Sequence, residues 1–575
     1  MSKDTSLIDS FPFSSYLDSN YIPSDEEVVE IKNFLIQPRE QLEQMRTEIA
    51  RLHAELSSVK STYDSLYHQF NSCASLITLP RRVPDDVLEE IFYQSLPTDR
   101  NALLDNKAAP LIFTRICRQW RQVAFASPRF WSTIHIRVSP RLLDRWIAST
   151  DKLSQERLQE QQDVLRATAA SEWLKRSGDL PLHISFVAKG VYPSFNPPVV
   201  DLYLSFIAPF SSRWRSLVLQ GGATSFSRIF TLKAANLQSL EFLILDFDPT
   251  EYWNNPPLPQ EPTTTWSNCG LLTSPSLRKL SIPRVITHPK DLSVDWAQLT
   301  YLELGKIPGG WGDVAMFMSM ASEILHVSTR LVSCRIKISG EENSAHIRSM
   351  KLPLLRHLSI DIEGYVLPFT EKLEVPGLRE IKLKLIENDV AGNNVNYKTC
   401  LAPLFRSQQG TIQKLIIDMR YLDHESFLGV LRKCPDLISL TVNDSQLYVG
   451  LPRAQETPLL TIDDQFLEEI GSNEGEVQVL CSQLEEFICG YPASFSTTGM
   501  IEFIKRKQSG NIPELAKLKK VVLPYISPEF EQKCVLSDEL RSFISQGLAL
   551  HLRGSYNDVV YRDAAAYYVD AWGFK

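Results

Sequence analysis

The chain has 575 residues, of which 60 are Lys or Arg and 68 are Asp or Glu, so its net charge is −8. A charge this small for the length argues against binding nucleic acid or another polyanion over the whole chain. Apolar residues make up 43% and charged residues 22%, as in ordinary globular proteins, and the length predicts several domains or one long repeat domain. Proline (34) outnumbers glycine (24), which favours a rigid backbone over the flexible loops that cradle phosphate groups.

Cysteine placement and apolar runs bear on the compartment and on cofactors. The nine cysteines are scattered, none forms a CxxC pair, and none lies at zinc-finger spacing from the ten histidines. This pattern favours reduced structural thiols over a disulfide framework or a zinc site, and no cofactor is expected. The first residues show no basic stretch followed by an apolar one, and no apolar run approaches the ~20 residues that span a bilayer. We therefore expect an intracellular protein, in the cytoplasm or nucleus, that does not bind a membrane.

Residues 1–37 predict a loosely ordered tail and one short helix. Ser24 and Glu27 have the spacing of a capping box, in which each side chain bonds the backbone amide of the other residue. Apolar residues follow at helical spacing from Val28 to Leu35. Pro38 is expected to begin a new helix, because proline is favoured at the first helical position.

Residues 38–79 predict a coiled-coil helix. Spacings of three and four alternate along one apolar series: Leu42, Met45, Ile49, Leu52, Leu56, Val59, Tyr63, Leu66, Phe70, Cys73 and Ile77. A 3.5-residue period keeps such a stripe on one face when helices wind around each other. Glu55 and Lys60 then fall at positions g and e, which suits self-association as a parallel pair. A helix packed on its own domain and an antiparallel hairpin with another chain fit the same pattern.

Residues 80–136 predict three short helices. Pro84 is placed to start the first, and Asp85 and Asp86 suit the first turn, where the helix dipole favours negative charge. Apolar stripes at helical spacing mark the first helix (Val87, Leu88, Ile91, Phe92) and the third (Ile112, Ile116, Trp120, Val123, Ala124). The insertion at 101–109 is expected to be a mobile loop.

This segment resembles an F-box. The family pattern of Leu-Pro, Leu-x-x-Ile-Phe, Val-Cys-x-x-Trp-Arg and Pro-x-Leu-Trp has the counterparts Val83-Pro84, Leu88-x-x-Ile91-Phe92, Ile116-Cys117-x-x-Trp120-Arg121 and Pro128-x-Phe130-Trp131. The preceding helices look like the N-terminal extension of large F-box-like families of mushroom-forming fungi. The resemblance implies a mostly apolar interface with a Skp-type adaptor and, through it, a cullin, formed by Val83, Pro84, Leu88, Ile91, Phe92, Ile116, Cys117 and Trp120. On periodicity alone, the alternative is a three-helix cap that uses the same stripes internally.

A repeated unit dominates the rest of the chain. Residues 137–180 predict linker helices that end at Gly178, a suitable C-cap, and 181–575 form the next domain. In it, L-x-x-L-x-L and its variants recur, with several copies 22 to 25 residues apart. Four copies have proline two residues ahead and begin at Pro275, Pro353, Pro376 and Pro435; others begin at Trp214, Leu237, Leu299, Ile412, Leu484 and Leu518.

This unit resembles a leucine-rich repeat, in which short strands stack into a parallel sheet with one continuous core. The expected fold is mixed: an N-terminal α part (coiled-coil helix plus three-helix F-box), then an α/β leucine-rich-repeat-like solenoid with a parallel sheet and a C-terminal cap. A β-rich or α/β domain with coincidental leucine spacing is the alternative. Residues between the leucines are expected to face away from the core and to contact a target protein; candidates are Arg278, Tyr301, Glu303, His357 and Lys382.

The expected function combines these resemblances. No Walker GxxxxGK[ST], HExxH or GxSxG motif occurs in the sequence, and no catalytic or metal-binding residue is nominated. The resemblances imply a non-catalytic substrate-recognition subunit of a Skp–cullin–F-box ubiquitin ligase, which holds a target protein close to the ubiquitin-loaded enzyme. The alternative is an interaction scaffold that acts through the coiled coil and the repeats without ubiquitin chemistry.

Overall fold

The structure is a computed structural model that describes residues 7–8, 10–74, 77, 82–138, 152–188, 197–247, 269–284, 289–309, 312–314, 316–340, 346–386, 397–406, 411–417, 422, 424–442, 462–470, 479–490, 494–509, 515–523 and 538–552. The chain divides into two units, residues 1–88 and 89–575. Most of the segment predicted as an F-box therefore belongs to the same unit as the sheet. In the described part of the chain, no helix is both long enough and apolar enough to cross a membrane.

The described α-helices are α1 Asp25–Ala74, α2 Asp85–Gln94, α3 Arg118–Ala126, α4 Lys152–Arg176, α5 Pro197–Ile207, α6 Ser227–Phe230, α7 Met318–Val327, α8 Leu367–Glu371, α9 Tyr397–Arg406, α10 His424–Leu431, α11 Asp464–Glu469, α12 Thr497–Gln508 and α13 Asp538–Ser545. Short 3₁₀ helices include Ser14–Tyr16, Leu111–Arg115 and Pro128–Trp131. In place of the predicted linker helices, the Gln- and Glu-rich stretch lies inside α4, and Gly178 follows it with φ +57°, as a C-cap requires.

The first unit contains α1, a helix of 50 residues. Its capping box is confirmed: the Ser24 amide donates to Glu27 Oε2 at 2.7 Å, and the Glu27 amide donates to Ser24 Oγ at 3.4 Å. The prediction that Pro38 begins a new helix is wrong, because α1 continues through it. Proline removes one helical hydrogen bond, and the many bonds and good helix-forming residues on both sides outweigh that loss. The tail also has more order than expected, since the rings of Phe11 and Phe34 lie 5.2 Å apart.

The strands are β1 Thr133–Arg137, β2 Leu182–Ala188, β3 Trp214–Gly221, β4 Phe242–Phe247, β5 Lys279–Arg284, β6 Tyr301–Gly309, β7 Gly312–Val314, β8 Met316–Phe317, β9 Ser333–Ser339, β10 Met350–Lys351, β11 His357–Glu363, β12 Leu373–Glu374, β13 Glu380–Ile386, β14 Lys414–Ile417, β15 Ser439–Val442, β16 Glu486–Cys489, β17 Lys520–Leu523 and β18 Ala549–Leu552. Each of the ten repeat units predicted from the sequence supplies one of these strands.

The strands form one long, mainly parallel sheet in the second unit. Its order is β1-β2-β3-β4-β5-β6-β9-β11-β13-β14-β15-β16-β17-β18, with β7 pairing antiparallel to β6 and β8 pairing with β9. Strands β10 and β12 form a separate parallel pair. The predicted parallel sheet in an α/β arrangement is therefore confirmed. Strand β9 was missed, because Cys334 occupies the position where the other units have an aliphatic residue or phenylalanine.

Side chains alternate between the two faces of the sheet. Leu302, Cys334, Leu358 and Ile381 are buried and lie side by side in register, as the predicted core requires. Helices α7 and α10, between successive strands, also bury apolar residues such as Leu325 and Leu431. The residues that alternate with the core leucines form what we call the second face, which includes Ser281, Tyr301, Glu303, Arg335, His357, Ser359, Glu380, Lys382 and Lys414.

The residue before each strand repeats one hydrogen-bond pattern along much of the sheet. The carbonyl oxygen of Arg356 accepts from the amides of Arg379 and Glu380, each at 2.9 Å, and the Arg379 carbonyl accepts from the Gln413 amide at 2.8 Å. We call this series the edge row; its members are Glu241, Arg278, Thr300, Val332, Arg356, Arg379, Gln413, Ile438, Glu485 and Lys519. It fixes where successive strands begin.

Candidate functional site

The predicted adaptor-binding residues divide into a buried and an exposed group. Leu88 and Phe92, both on α2, are 2% and 1% exposed. The Phe92 ring stacks on Phe113 with centroids 4.2 Å apart and lies 4.8 Å from the Trp120 ring. The expectation that Leu88 and Phe92 present themselves to an adaptor is therefore corrected. The apolar stripe of α2 is wide enough to have a buried side and an exposed side. Leu88 and Phe92 lie on the buried side and pack into the interior of the protein.

The turn before α3 positions two further candidates. Cys117 is the N-cap of α3, and its Sγ accepts from the Trp120 amide at 3.5 Å. Trp120 is half-buried against Phe92, so part of its ring belongs to the same interior cluster. Cys117 and Trp120 thus have structural contacts of their own, and their predicted adaptor contact stays a prediction.

The remaining candidates are accessible. Ile91 is 49% exposed and Ile116 is 57% exposed, although both are large aliphatic residues. Pro84 is exposed and Val83 is half-buried. The family resemblance did not assign Val87, which is also exposed; its place on the apolar stripe of the first helix was the signal that could have found it. Apolar side chains left in solvent at several motif positions are the feature expected of a surface that binds a partner.

The same segment is joined to the first strands of the sheet. Trp131 is fully buried, its Nε1 donates to the Ala124 carbonyl at 2.8 Å, and its ring meets Trp173 of α4 edge-on at 4.9 Å. The insertion at 101–109, expected to be a free loop, is anchored to β1, because the His135 amide donates to the Ala102 carbonyl at 2.7 Å. Residues 102–131 of this segment, which belong to the second unit, are therefore joined to the sheet by buried contacts.

On the second face of the sheet, Glu303 is the centre of a polar cluster. It is 8% exposed; Ser281 Oγ donates to Glu303 Oε2 at 2.7 Å, and Arg335 Nη1 lies 3.4 Å from Oε1. The Tyr301 hydroxyl donates to Oε2 at 3.4 Å, and burial together with the nearby carboxylate raises the pKa of Tyr301. The sequence prediction placed Tyr301 and Glu303 on this face correctly, but their mutual contacts leave little of Glu303 available to a partner.

A second cluster crosses three neighbouring strands. His357 Nδ1 lies 3.2 Å from Glu380 Oε2, and Lys414 Nζ lies 3.0 Å from Oε1. The hydrogen bond from His357 and the positive charge of Lys414 lower the pKa of Glu380 to about 2. His357 was a predicted target contact and is exposed, so one side of its ring remains accessible.

Arg278 is not on the second face, contrary to the prediction. It belongs to the edge row, and its Nη1 donates to the carbonyl oxygens of Pro275 and Leu277, each at 3.0 Å. The reason is the strand period of two: Arg278 is separated from Leu280 by one residue, so it has the orientation of the core series. Lys382 does lie on the second face, in register with Ser359, and is half-buried.

Sequence reasoning missed the buried polar cluster around Asp246. Asp246, at the end of β4, is 3% exposed and receives Arg284 Nη2 at 2.8 Å and Gln220 Nε2 at 3.3 Å. These three residues come from adjacent strands that are far apart in sequence, so no local motif marks them. Because Gln220 and Arg284 donate hydrogen bonds to the buried Asp246 carboxylate, we assign the three residues a structural role.

The remaining observations concern metal-binding groups, buried thiols and known relatives. In the described ranges, no group of three His, Cys, Asp or Glu residues could hold a metal ion. The buried thiols of Cys334, Cys434 and Cys481 have pKa values raised to about 12 by burial, so they are poor nucleophiles. No protein-family model matches this chain, and no curated protein matches it.

Proposed function

We propose that the chain is the substrate-recognition subunit of a Skp–cullin–F-box ubiquitin ligase. The observation that carries the proposal is the exposure of Ile91 and Ile116 at two F-box motif positions, while Leu88 and Phe92 of the same motif are interior. About half of each isoleucine side chain is exposed to solvent and gains little from folding. A partner that covers this apolar surface would remove it from water.

The sheet supplies the second half of the proposal. Its second face offers side chains from many strands, including Lys382 and His357, to a target protein. The mechanism is positional: the first part of the chain holds the adaptor, the sheet holds the target, and the target's lysines gain effective concentration near the ubiquitin-loaded enzyme. The chain itself makes and breaks no covalent bond.

The test is co-expression of the full chain with a Skp-type adaptor and measurement of the dissociation constant of the purified proteins. We expect Ile91→Asp and Ile116→Asp each to weaken binding by about tenfold or more, because each puts a charge into an apolar interface. Ile544→Asp is the matched control: Ile544 lies on α13 and is 46% exposed, and its replacement is expected to leave binding unchanged. Wild-type affinity in both motif variants would refute the proposed surface.

A second candidate function is an interaction scaffold, and the exposure of α1 favours it. Every heptad position from Leu42 to Phe70 that carries an apolar residue is about half exposed or more. Intrahelical pairs such as Arg51 with Glu48 at 2.8 Å lie beside this stripe. A long helix with an uncovered apolar seam is suited to pairing with another helix. The two functions are compatible, because the seam and the F-box-like segment are different parts of the chain.

A further inference from the structure

A cleft opens at the edge row between the starts of β9 and β14. Its volume is about 660 Å³, and it is lined by Val332, Pro353, Leu354, Arg356, Gly377, Arg379, Thr411 and Gln413. These residues belong to the edge row and to the turns that lead into β11, β13 and β14. We call it the Arg356–Arg379 cleft.

Two arginines in the lining, at the starts of neighbouring strands, give this cleft its positive charge. Arg356 and Arg379 precede neighbouring parallel strands, whose backbones run ~5 Å apart. Within the described part of the chain neither guanidinium has an ion-pair partner, and Glu380, the acidic residue next to Arg379, is engaged by His357 and Lys414. Two like charges side by side repel each other, and an anion between them removes that repulsion.

The arrangement is local and differs from the other edge-row positions. The preceding members Thr300 and Val332 and the following members Gln413 and Ile438 are uncharged. Arg278, the third arginine of the row, has its guanidinium held by backbone carbonyls of its own turn. The paired, unengaged cations are therefore concentrated in the cleft, in a chain whose net charge is −8.

The rest of the lining combines the polar residues Thr411 and Gln413 with apolar ones. Leu354 is 53% exposed, and Val332 and Pro353 are the other apolar side chains in the lining. A small inorganic anion uses only the arginines, whereas a peptide with carboxylates and an apolar side chain uses both parts of the lining. Guanidinium groups bind carboxylates through two parallel hydrogen bonds, which gives geometric selectivity as well as charge attraction.

We propose that the Arg356–Arg379 cleft binds an extended acidic peptide segment that also carries an apolar side chain. The inference rests on the proposed function in one respect: the peptide belongs to the target protein that the receptor recruits. Binding of the peptide itself does not depend on the adaptor, so the two proposals fail separately.

The experiment measures fluorescence anisotropy of labelled Gly-Glu-Leu-Glu-Leu-Glu-Gly, titrated with the full chain in the absence of adaptor. The probe with Gln in place of Glu is the ligand control. We expect Arg356→Gln and Arg379→Gln each to weaken binding about tenfold, since each removes a charge-assisted hydrogen bond to a carboxylate. Arg379→Lys is expected to fall between the wild type and Arg379→Gln, because lysine keeps the charge and loses the two parallel hydrogen bonds.

The matched control is Arg157→Gln, which removes an exposed arginine from α4, near the β1 end of the sheet, and is expected to leave the affinity unchanged. Both cleft arginines lie at the surface, so the variants should unfold at the wild-type temperature, and circular dichroism checks this. Equal affinity for the Glu and Gln probes, wild-type affinity in the double Arg356→Gln, Arg379→Gln variant, or absence of binding by the wild type would each overturn the proposal. Loss of adaptor binding with peptide binding intact would refute the receptor function alone.

Discussion

The clearest prediction separates the interior side of α2 from its exposed side. Phe92 and Ile91 are neighbours in sequence, yet one is 1% and the other 49% exposed. Phe92→Ala removes a ring that stacks on Phe113 at 4.2 Å and approaches Trp120 at 4.8 Å. Replacement of a fully buried phenylalanine by alanine costs about 3–5 kcal/mol, because both burial and packing contacts are lost.

Ile91→Ala is the matched comparison. About half of its side chain already contacts solvent, and alanine has a higher helix propensity, so the expected cost is about 1 kcal/mol or less. The assay is unfolding of the full chain in urea, monitored by hydrogen exchange at the backbone amides of residues 89–131. A difference between the two variants of about 2–4 kcal/mol supports the assignment of Phe92 to the interior. Equal stability of the two variants would refute it, and so would greater destabilisation by Ile91→Ala.

Three further predictions concern charge and assembly. Glu380→Gln should lower the free energy of unfolding near pH 7. The pKa of Glu380 is about 2 in the folded chain and 4.5 ordinarily. The difference in unfolding free energy between wild type and variant should therefore shrink as the pH falls from 4.5 towards 2. Lys507 is buried and donates to the carbonyls of Cys481 and Ser482, and burial lowers its pKa to about 8. Between pH 8 and 10.5 the Lys507 amine is protonated only in the unfolded chain. The free energy of unfolding of the wild type, relative to that of Lys507→Met, should therefore rise over this range. Leu52→Asp should reduce self-association of the full chain in sedimentation equilibrium, because it charges the apolar seam of α1.

Each of these has a contradicting result. A Glu380→Gln difference that is the same at pH 7 and pH 2.5 would contradict the lowered pKa of Glu380. A flat profile between pH 8 and 10.5, identical to that of Lys507→Met, would contradict the lowered pKa of Lys507. A wild-type chain that stays monomeric at all concentrations would contradict the predicted self-association through residues 38–79.

The sheet was the most predictable part of the fold, because leucine spacing reports both the strand and its buried side. Ten units found in the sequence are strands, whereas β9 escaped because Cys334 substitutes for an aliphatic residue. The prediction that a new helix begins at Pro38 was wrong, because a proline does not always end a helix and α1 continues through this one.

The candidate site was less predictable, because its properties depend on contacts between distant residues. The stripe on α2 was evident from the sequence, but periodicity does not tell whether Phe92 or Ile91 faces the interior. The Phe113 ring that decides this comes from another element. In the same way, the Arg356–Arg379 cleft exists because parallel strands place two turns side by side. Both arginines lie in repeat units found in the sequence, those that begin at Pro353 and Pro376, but the repeat pattern does not reveal whether their side chains have ion-pair partners.

The most direct test of the proposed function is the mass of the complex formed with a Skp-type adaptor. The full chain has a mass of 65.4 kDa, and light scattering after gel filtration of an equimolar mixture with adaptor and cullin measures what it binds. The receptor function predicts one species that contains the chain, one adaptor and one cullin for each copy of the chain, and its loss in the double Ile91→Asp, Ile116→Asp variant. Separate elution of the folded wild-type chain from the adaptor–cullin pair would contradict it.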